Sequence, residues 1–489
     1  MSDDEADPEL LALLRQSLGL GPRSSTAPPE TKVLDHARYI YDNSIDVALD
    51  MRNTQAAAQL IWSQMQQKKY STENWAKYEL HPKAKDESTV NFIFTMDLLN
   101  FSFWCDEEPG YEVEWQGKRW TGYWSMVAAL QRALHEGIPI TDPSFWIPVS
   151  KAEDALVPEE VTTVEQTVDE HHVETAQKVT SDTTNAEIPL ADEANDMTPT
   201  ETSKAVCESQ DESQDAGIPI VEQPETTEPE DIPREKTDPE NTPPEATDPE
   251  NTPPKQTDPE PSPKPPSPPK PKPTLDLPTM QHIFRSTTST PIPMLEERLQ
   301  CLHEAGTVLA HDFGSSIPAM IKKANHSAAA LVNLLADHFA SFRDEARFER
   351  KTVRLLKRAQ IFVADLWAAF NGEGYGAFDD IDKITMFADY RIPQALHHLG
   401  CLSYSPVLES QIKNRRPIPA GHSWEVQIRG CSIWSVELIR REIVAKHPGA
   451  KVNAVLLDFF LYDTVKELEG ELEGEEGLMP HHRTRSVWY

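Results

Sequence analysis

The chain has 489 residues, with 46 Lys+Arg against 80 Asp+Glu, 41 prolines and five cysteines, for a formal net charge of −34. Residues 151–278 hold 32 of the acidic and 9 of the basic side chains, 23 of the prolines and no Phe, Tyr or Trp, which leaves the other 361 residues at only −11 with all 38 aromatics. That remainder has an ordinary globular composition and no basic stripe, which argues against binding duplex nucleic acid, since phosphate neutralisation needs clustered Lys and Arg.

Residues 1–31, acidic and then rich in Ser and Pro, read as a disordered tail with no basic segment leading into an apolar signal core. From residue 32 the pattern turns helical. Apolar side chains at three- and four-residue spacing predict helices over 35–66, 86–104 and 122–136, while YEVEW, Gln-Gly and KRWTG over 111–121 alternate about a turn and predict a β-hairpin. The longest apolar run, near 90–104, is interrupted by Asp97, Asn100 and Ser102 and does not read as a membrane span.

Residues 151–278 lack the apolar surface to offset chain entropy and are expected to stay disordered. The unit Thr-Asp-Pro-Glu recurs at 237, 247 and 257 before a Pro/Lys run from Pro261 to Pro273, which reads as polyproline-like linker; its Pro-x-x-Pro spacing matches ligands of SH3 or WW modules. The apolar flanks 137–149 and 280–309 fit a chain that leaves and re-enters one core. Residues 32–150 and 279–489 are therefore expected to form a single domain around the insert.

Beyond the insert, helices are predicted over 294–311, 318–340, 345–370, 392–402, 431–446 and 452–468, so the fold class is mainly α with at least one small hairpin. Cys105, Cys207, Cys301, Cys401 and Cys431 are odd in number and form no CxxC pair, which fits a reducing compartment: a cytoplasmic protein, with the nucleus also open to it. Gly372, Gly374 and Gly376 fit neither a dinucleotide fingerprint nor a P-loop and read as a helix-to-loop turn. The adjacent pairs His171/His172, His397/His398 and His481/His482 lack the spacing of metal ligands, and no GxSxG elbow is present.

Function has to come from residues that break the core pattern. Residues 452–462 are nearly all apolar, yet Asp458 and Asp463 fall within and just after that run, and Asp463 shares a helix face with Phe459 and Phe460. Asp97, Asp365 and Asp389 repeat the oddity in 91–104, 360–370 and 384–393. A helix cap or an arginine partner would account for one or two of them. Five together, with Arg358, Arg391 and Arg429 nearby, describe an aromatic-walled polar pocket for a planar, cationic or sugar-bearing ligand.

The segments NFIFTMDLLNFSFW (91–104), GKRWTGYWSMVAALQRALHEGIPIT (117–141), HIFRS (282–286), KRAQIFVADLW (357–367), ITMFADYRIPQ (384–394), EVQIRGCSIWSVELIR (425–440) and LLDFFLYD (456–463) closely resemble the queuosine salvage protein family. The resemblance runs in order through both core pieces, about 330 residues, and leaves the tail and the insert outside. It implies an N-glycosidase that cleaves queuosine 5′-monophosphate and frees queuine for reinsertion into tRNA by tRNA-guanine transglycosylase. It also implies a mainly helical fold similar to helix-hairpin-helix DNA glycosylases, with no metal and no cofactor.

Residue by residue, the resemblance makes Asp463 the catalytic aspartate, which stabilises or attacks the oxocarbenium-like ribosyl centre. Asp458 and its neighbour contact the ligand; the neighbour is Phe459 where relatives carry Tyr. Phe387 is expected to stack on the deazaguanine and Asp389 to accept from its N–H groups. Relatives carry a histidine in a segment near HELNP, where this chain reads YELHP, so either Tyr78 or a shifted His81 takes that contact. Chemistry alone offers Lys357, Arg358, His482 and Arg483 as cations for the 5′-phosphate. Two other readings stand beside this one: a base-excision DNA glycosylase, and a helical scaffold whose Pro-rich insert recruits partners.

Overall fold

The computed structural model describes residues 28–148, 275–471 and 477–489. The repeats, the Pro-x-x-Pro motifs, Cys207 and His171/His172 lie outside the described residues. Fourteen α-helices and six short strands are found among those described. In chain order these are α1 (Val33–Asp42), β1 (Val47–Leu49), α2 (Met51–Gln67), α3 (Glu73–Lys77), α4 (Glu87–Leu98), β2 (Glu112–Trp115), β3 (Lys118–Thr121) and α5 (Gly122–His135). After the undescribed segment come α6 (Leu277–Ile283), α7 (Leu295–Phe313), α8 (Ile317–Lys323), α9 (Ala328–His338), β4 (Glu345–Phe348), β5 (Lys351–Arg354), α10 (Lys357–Ala369), α11 (Arg391–His398), β6 (Leu402–Tyr404), α12 (Pro406–Lys413), α13 (Ser423–Lys446) and α14 (Ala454–Glu471).

The strands form three two-stranded antiparallel ladders, β1–β6, β2–β3 and β4–β5. The fold is mainly helical, and the hairpin expected over 111–121 pairs Glu112 with Thr121 through Trp115 with Lys118. Several helices differ from expectation. Residues 35–66 break at 43–50, where Val47–Leu49 pairs with Leu402–Tyr404 from far along the chain. Residues 345–370 begin with a hairpin, not a helix, because Glu349 takes φ 50° and turns Phe348 back onto Lys351. The stretch 318–340 is split at 324–327, with Asn325 and His326 both at positive φ, and 86–104 leaves the helix after Leu98.

Both expected boundaries also move inward. Thr31 is buried and Lys383 pairs with Glu30 at 2.8 Å, so the core begins before residue 32. Leu275 is buried and Asp276 caps α6 through Thr279 N–H at 2.9 Å, so the expected insert ends too late by at least four residues. All the described residues fall in one compact unit.

A single apolar core spans the two chain pieces. Phe94 of α4 lies 6.1 Å from Trp146, which precedes the insert, and 5.3–5.9 Å from Phe339, Phe342 and Phe362, which follow it. The last carbonyls of α4 would be left without partners inside this core. Buried guanidinium groups take them: Arg358 donates to Leu98 O and Ser341 O, and Arg298 to Leu99 O and Phe101 O. Each cation also lies over Phe101, at 5.0 and 4.3 Å from the ring centre.

Helix α13 runs through the middle, with α1 packed across it. Their approach is close because position 430 has no side chain: a Cβ there would stand 2.5 Å from Ile40 Cδ1 and 2.7 Å from its Cβ. Gly430→Ala gains about 1 kcal/mol of helix propensity but overpacks this crossing at a cost of about 1–3 kcal/mol. It is expected to lower the urea midpoint; an unchanged or higher midpoint would show that α1 yields at no cost.

Candidate active site

Helix α14 supplies the spine of the site. Asp458, Phe459, Tyr462, Asp463 and Lys466 recur at one- and three- to four-residue steps, so they share a face, and all five line a cavity of about 970 Å³ counted to its open mouth. Facing them is the extended segment 384–389. It is fixed from beneath: Thr385 N–H donates to Gln360 Oε1 at 3.0 Å, and Arg429 Nε donates to Ala388 O at 2.8 Å. Arg429 is itself buried between Asp344 (2.5 Å) and Glu425 (3.0 Å), beneath the ring of Tyr489 at 4.1 Å.

At the inner end, Phe387 and Phe459 present rings 6.0 Å apart, and Asp458 Oδ1 accepts the Phe387 N–H at 2.9 Å. Asp389 Oδ1 accepts from Arg391 N–H and Ile392 N–H at 2.8 and 3.0 Å, so this carboxylate caps α11 while lining the cavity. Lys357 lies beneath them, its ammonium 3.3 Å from Asn100 O. Burial lowers its pKa, and Asp389, Asp97 and Asp458 push the other way. Burial also raises Asp458 well above the carboxylate range, with Asp389 adding to it. Asp97 and Asp365 are raised by burial too, and neither Asp97 oxygen has a partner among the described residues. The floor therefore holds more carboxyls than it can keep ionised, which suits a ligand rich in N–H donors or carrying a cation.

Nearer the mouth stands Asp463, half-buried. Tyr70 O–H donates to Oδ2 at 2.5 Å and Tyr78 O–H donates to Oδ1. Burial raises its pKa, and the two phenol bonds oppose that shift by favouring the charged form. Tyr70 is set by an edge-on contact with Phe460 at 5.3 Å. His81 lines the same wall but spends both nitrogens on the protein. Nδ1 donates to Trp75 O at 3.0 Å and Nε2 accepts from Tyr123 O–H at 3.1 Å, while burial lowers its pKa to about 3 and keeps it neutral. Of the two residues open for the family histidine's place, Tyr78 is the one that touches Asp463.

The structure thus brings together Asp463, Asp458, Phe459, Phe387, Asp389, Tyr78, His81 and Lys357. It does not bring the other three expected phosphate cations to the cavity. Arg358 is consumed by Leu98 O at the end of α4 and by Ser341 O. His482 is buried against Tyr489 O–H at 3.3 Å, with its pKa lowered to about 3 by burial. Arg483 faces Asp106 at 3.4 Å across the ring of Trp104. Sequence reasoning missed Tyr70, Trp124, Tyr462, Lys466 and Tyr489 as wall residues. The helical period from Asp458 would have reached Tyr462 and Lys466; nothing in the local sequence marks Tyr70 or Tyr489.

With the phenol donors removed, the carboxylate loses its two compensating bonds and its pKa moves up. Tyr70→Phe and Tyr78→Phe are each expected to shift the acid limb of the kcat/KM profile to higher pH, since activity that needs ionised Asp463 is lost as pH falls through that pKa. A limb that stays in place in both variants would mean another group sets it.

A family model described as queuosine salvage protein matches residues 80–216 and 267–489. The match begins inside the first core piece, ahead of the first motif at 91, and it reaches into the insert, which the resemblance had left outside. Among curated proteins, the Schizosaccharomyces pombe protein named queuosine 5′-phosphate N-glycosylase/hydrolase is 30% identical over 472 residues, covering 94% of this chain and all of its own. A Mus musculus protein of the same name is 30% identical over 468 residues, covering 94% of this chain and 99% of its own. A Sphaerobacter thermophilus protein, again so named, is 29% identical over 411 residues, covering 84% of each.

Proposed function

Since the chain belongs to the queuosine salvage protein family, we propose that it hydrolyses the N-glycosidic bond of queuosine 5′-phosphate and releases queuine for return to tRNA. The observation that carries the reading is Asp463. It is a carboxylate whose charged form two phenol donors favour against burial, in an aromatic-walled cavity, on a helix face that carries Asp458 and opposes Phe387 and Asp389.

The chemistry follows from that placement. Cleavage of a C–N glycosidic bond builds positive charge on the ribosyl carbon as the base leaves. A fixed carboxylate with little competing water lowers the energy of that charge more than it lowers the neutral ground state. Phe387 and Phe459 offer flat apolar surface to the deazaguanine, and Asp389 and Asp458 offer acceptors to its N–H groups. Phe459 lacks the hydroxyl of the relatives' Tyr, so ring packing alone remains at that point. Water then adds to the ribosyl carbon, giving ribose 5-phosphate and queuine.

We also propose the finer reading of a fold similar to helix-hairpin-helix DNA glycosylases, which the predominance of helices among the described residues supports. Cys105, Cys301, Cys401 and Cys431 are free, which supports placing the protein in the cytoplasm, with the nucleus also open to it. Incubation of the purified chain with queuosine 5′-phosphate, followed by mass spectrometry for queuine, tests the activity; no release would overturn it. Removing residues 151–274, which spares buried Leu275 and the Asp276 cap of α6, is expected to leave turnover nearly unchanged, whereas a scaffold would lose its function.

A further inference from the structure

We propose that Arg391 and Lys466, which hold the carboxylate of Glu469 between them at the outer end of the cavity, form the subsite for the substrate's 5′-phosphate, with Glu469 as its resting counterion. The proposal rests on the nucleotide reading above.

Helix α14 acts as a ruler. At about 1.5 Å per residue, Asp458 lies roughly 7.5 Å along the axis from Asp463 on one side, and Lys466 roughly 4.5 Å from it on the other. A nucleotide whose base sits against Asp458 and whose anomeric carbon faces Asp463 directs its 5′ carbon toward Lys466. Lys466 and Arg391 both line the cavity there. Lys466 Nζ is 2.9 Å from Glu469 Oε2, and Arg391 donates to Glu469 Oε1, so one carboxylate bridges both cations.

Charge points the same way. Two cations and one carboxylate leave +1, whereas a phosphate monoester carries about −1.5 to −2 at neutral pH and balances the pair when Glu469 swings out. The Glu469 side chain is 32% exposed, against 19% for Arg391, so it has solvent to swing into. Burial and the nearby Arg391 both lower the pKa of Lys466, and a dianion would restore it. The other cations serve less well. Lys357 lies at the base end among carboxylates, and Lys68 and Lys77 line only the adjoining outer groove, where Lys68 is held by Glu467 at 2.6 Å.

The test is the ratio of kcat/KM for queuosine 5′-phosphate to that for queuosine. Lys466→Gln is expected to lower the ratio at least tenfold and Lys466→Arg to retain most of it. Glu469→Gln, which removes the internal competitor, is expected to tighten binding of ribose 5-phosphate several-fold by calorimetry, and Lys466→Gln to weaken it. A ratio unchanged by Lys466→Gln, or equal ribose 5-phosphate binding in all forms, would overturn the subsite. If the wild type cleaves neither substrate, the proposed reaction fails, and the ribose 5-phosphate titration still decides the subsite.

Discussion

Asp463→Ala is expected to reduce kcat for queuine release by about 10³-fold, on the order of 4 kcal/mol of transition-state stabilisation. Binding of free queuine should survive, because the base contacts proposed above, Phe387, Asp389 and Asp458, line the cavity apart from Asp463. Asp463→Asn sharpens the comparison. The amide keeps the shape and can accept from one of Tyr70 and Tyr78, so it spares the fold a pair of unpartnered buried hydroxyls, yet it carries no charge. An equal loss in both variants assigns the effect to charge. The measurement is single-turnover release by mass spectrometry with queuine affinity measured separately; undiminished release by either variant would refute the proposed role of Asp463.

The second large effect concerns stability. Arg429→Met is expected to destabilise the protein by about 3–5 kcal/mol, the cost of leaving buried charges without their partner. Asp344 and Glu425 each touch Arg429 at 2.5–3.0 Å from within the core. Burial raises the pKa of Glu425 and Arg429 pulls it back down; in Arg429 itself burial is outweighed by Asp344 and Glu425, and the pKa rises. Without the arginine, Glu425 would keep the full upward shift that burial imposes, above its unfolded value. Its penalty would be full at neutral pH and would shrink as pH falls and both states become protonated. Urea titrations at pH 7 and pH 5 should therefore show a smaller deficit at pH 5. An equal deficit would mean lost packing on Tyr489, not lost charge compensation. The variant also loses the donor to Ala388 O, so the segment bearing Phe387 and Asp389 should hold the base less well and KM should rise.

How much of this was legible in the chain depends on where each signal lies. The α14 aspartates were, because a carboxylate in an apolar helical run is conspicuous whatever surrounds it. The 112–121 hairpin was, because its alternation is local. The β4–β5 hairpin was not: its turn at Glu349-Arg350 uses no Gly, Asn or Pro, and its short strands mimic helical spacing. The break between α1 and α2 was not, because the partner of β1 lies some 350 residues away. Arg358 was misjudged for a similar reason. A cation in a motif-like segment suggests a ligand, but one of the two carbonyls that claim this one belongs to the end of a helix 260 residues earlier and the other to Ser341.

The cavity widens past Asp463 into the groove lined by Lys68, Lys77 and Glu467, all three exposed, whereas its opposite end is closed by Lys357, Asp365 and Asp458. In the pose proposed above, with the base inward and the sugar outward, ribose 5-phosphate stands between queuine and solvent. Product release is then expected to be ordered, with the sugar phosphate departing first. Queuine, the last to go, is then expected to compete with substrate for the free enzyme, and its rising concentration would slow turnover.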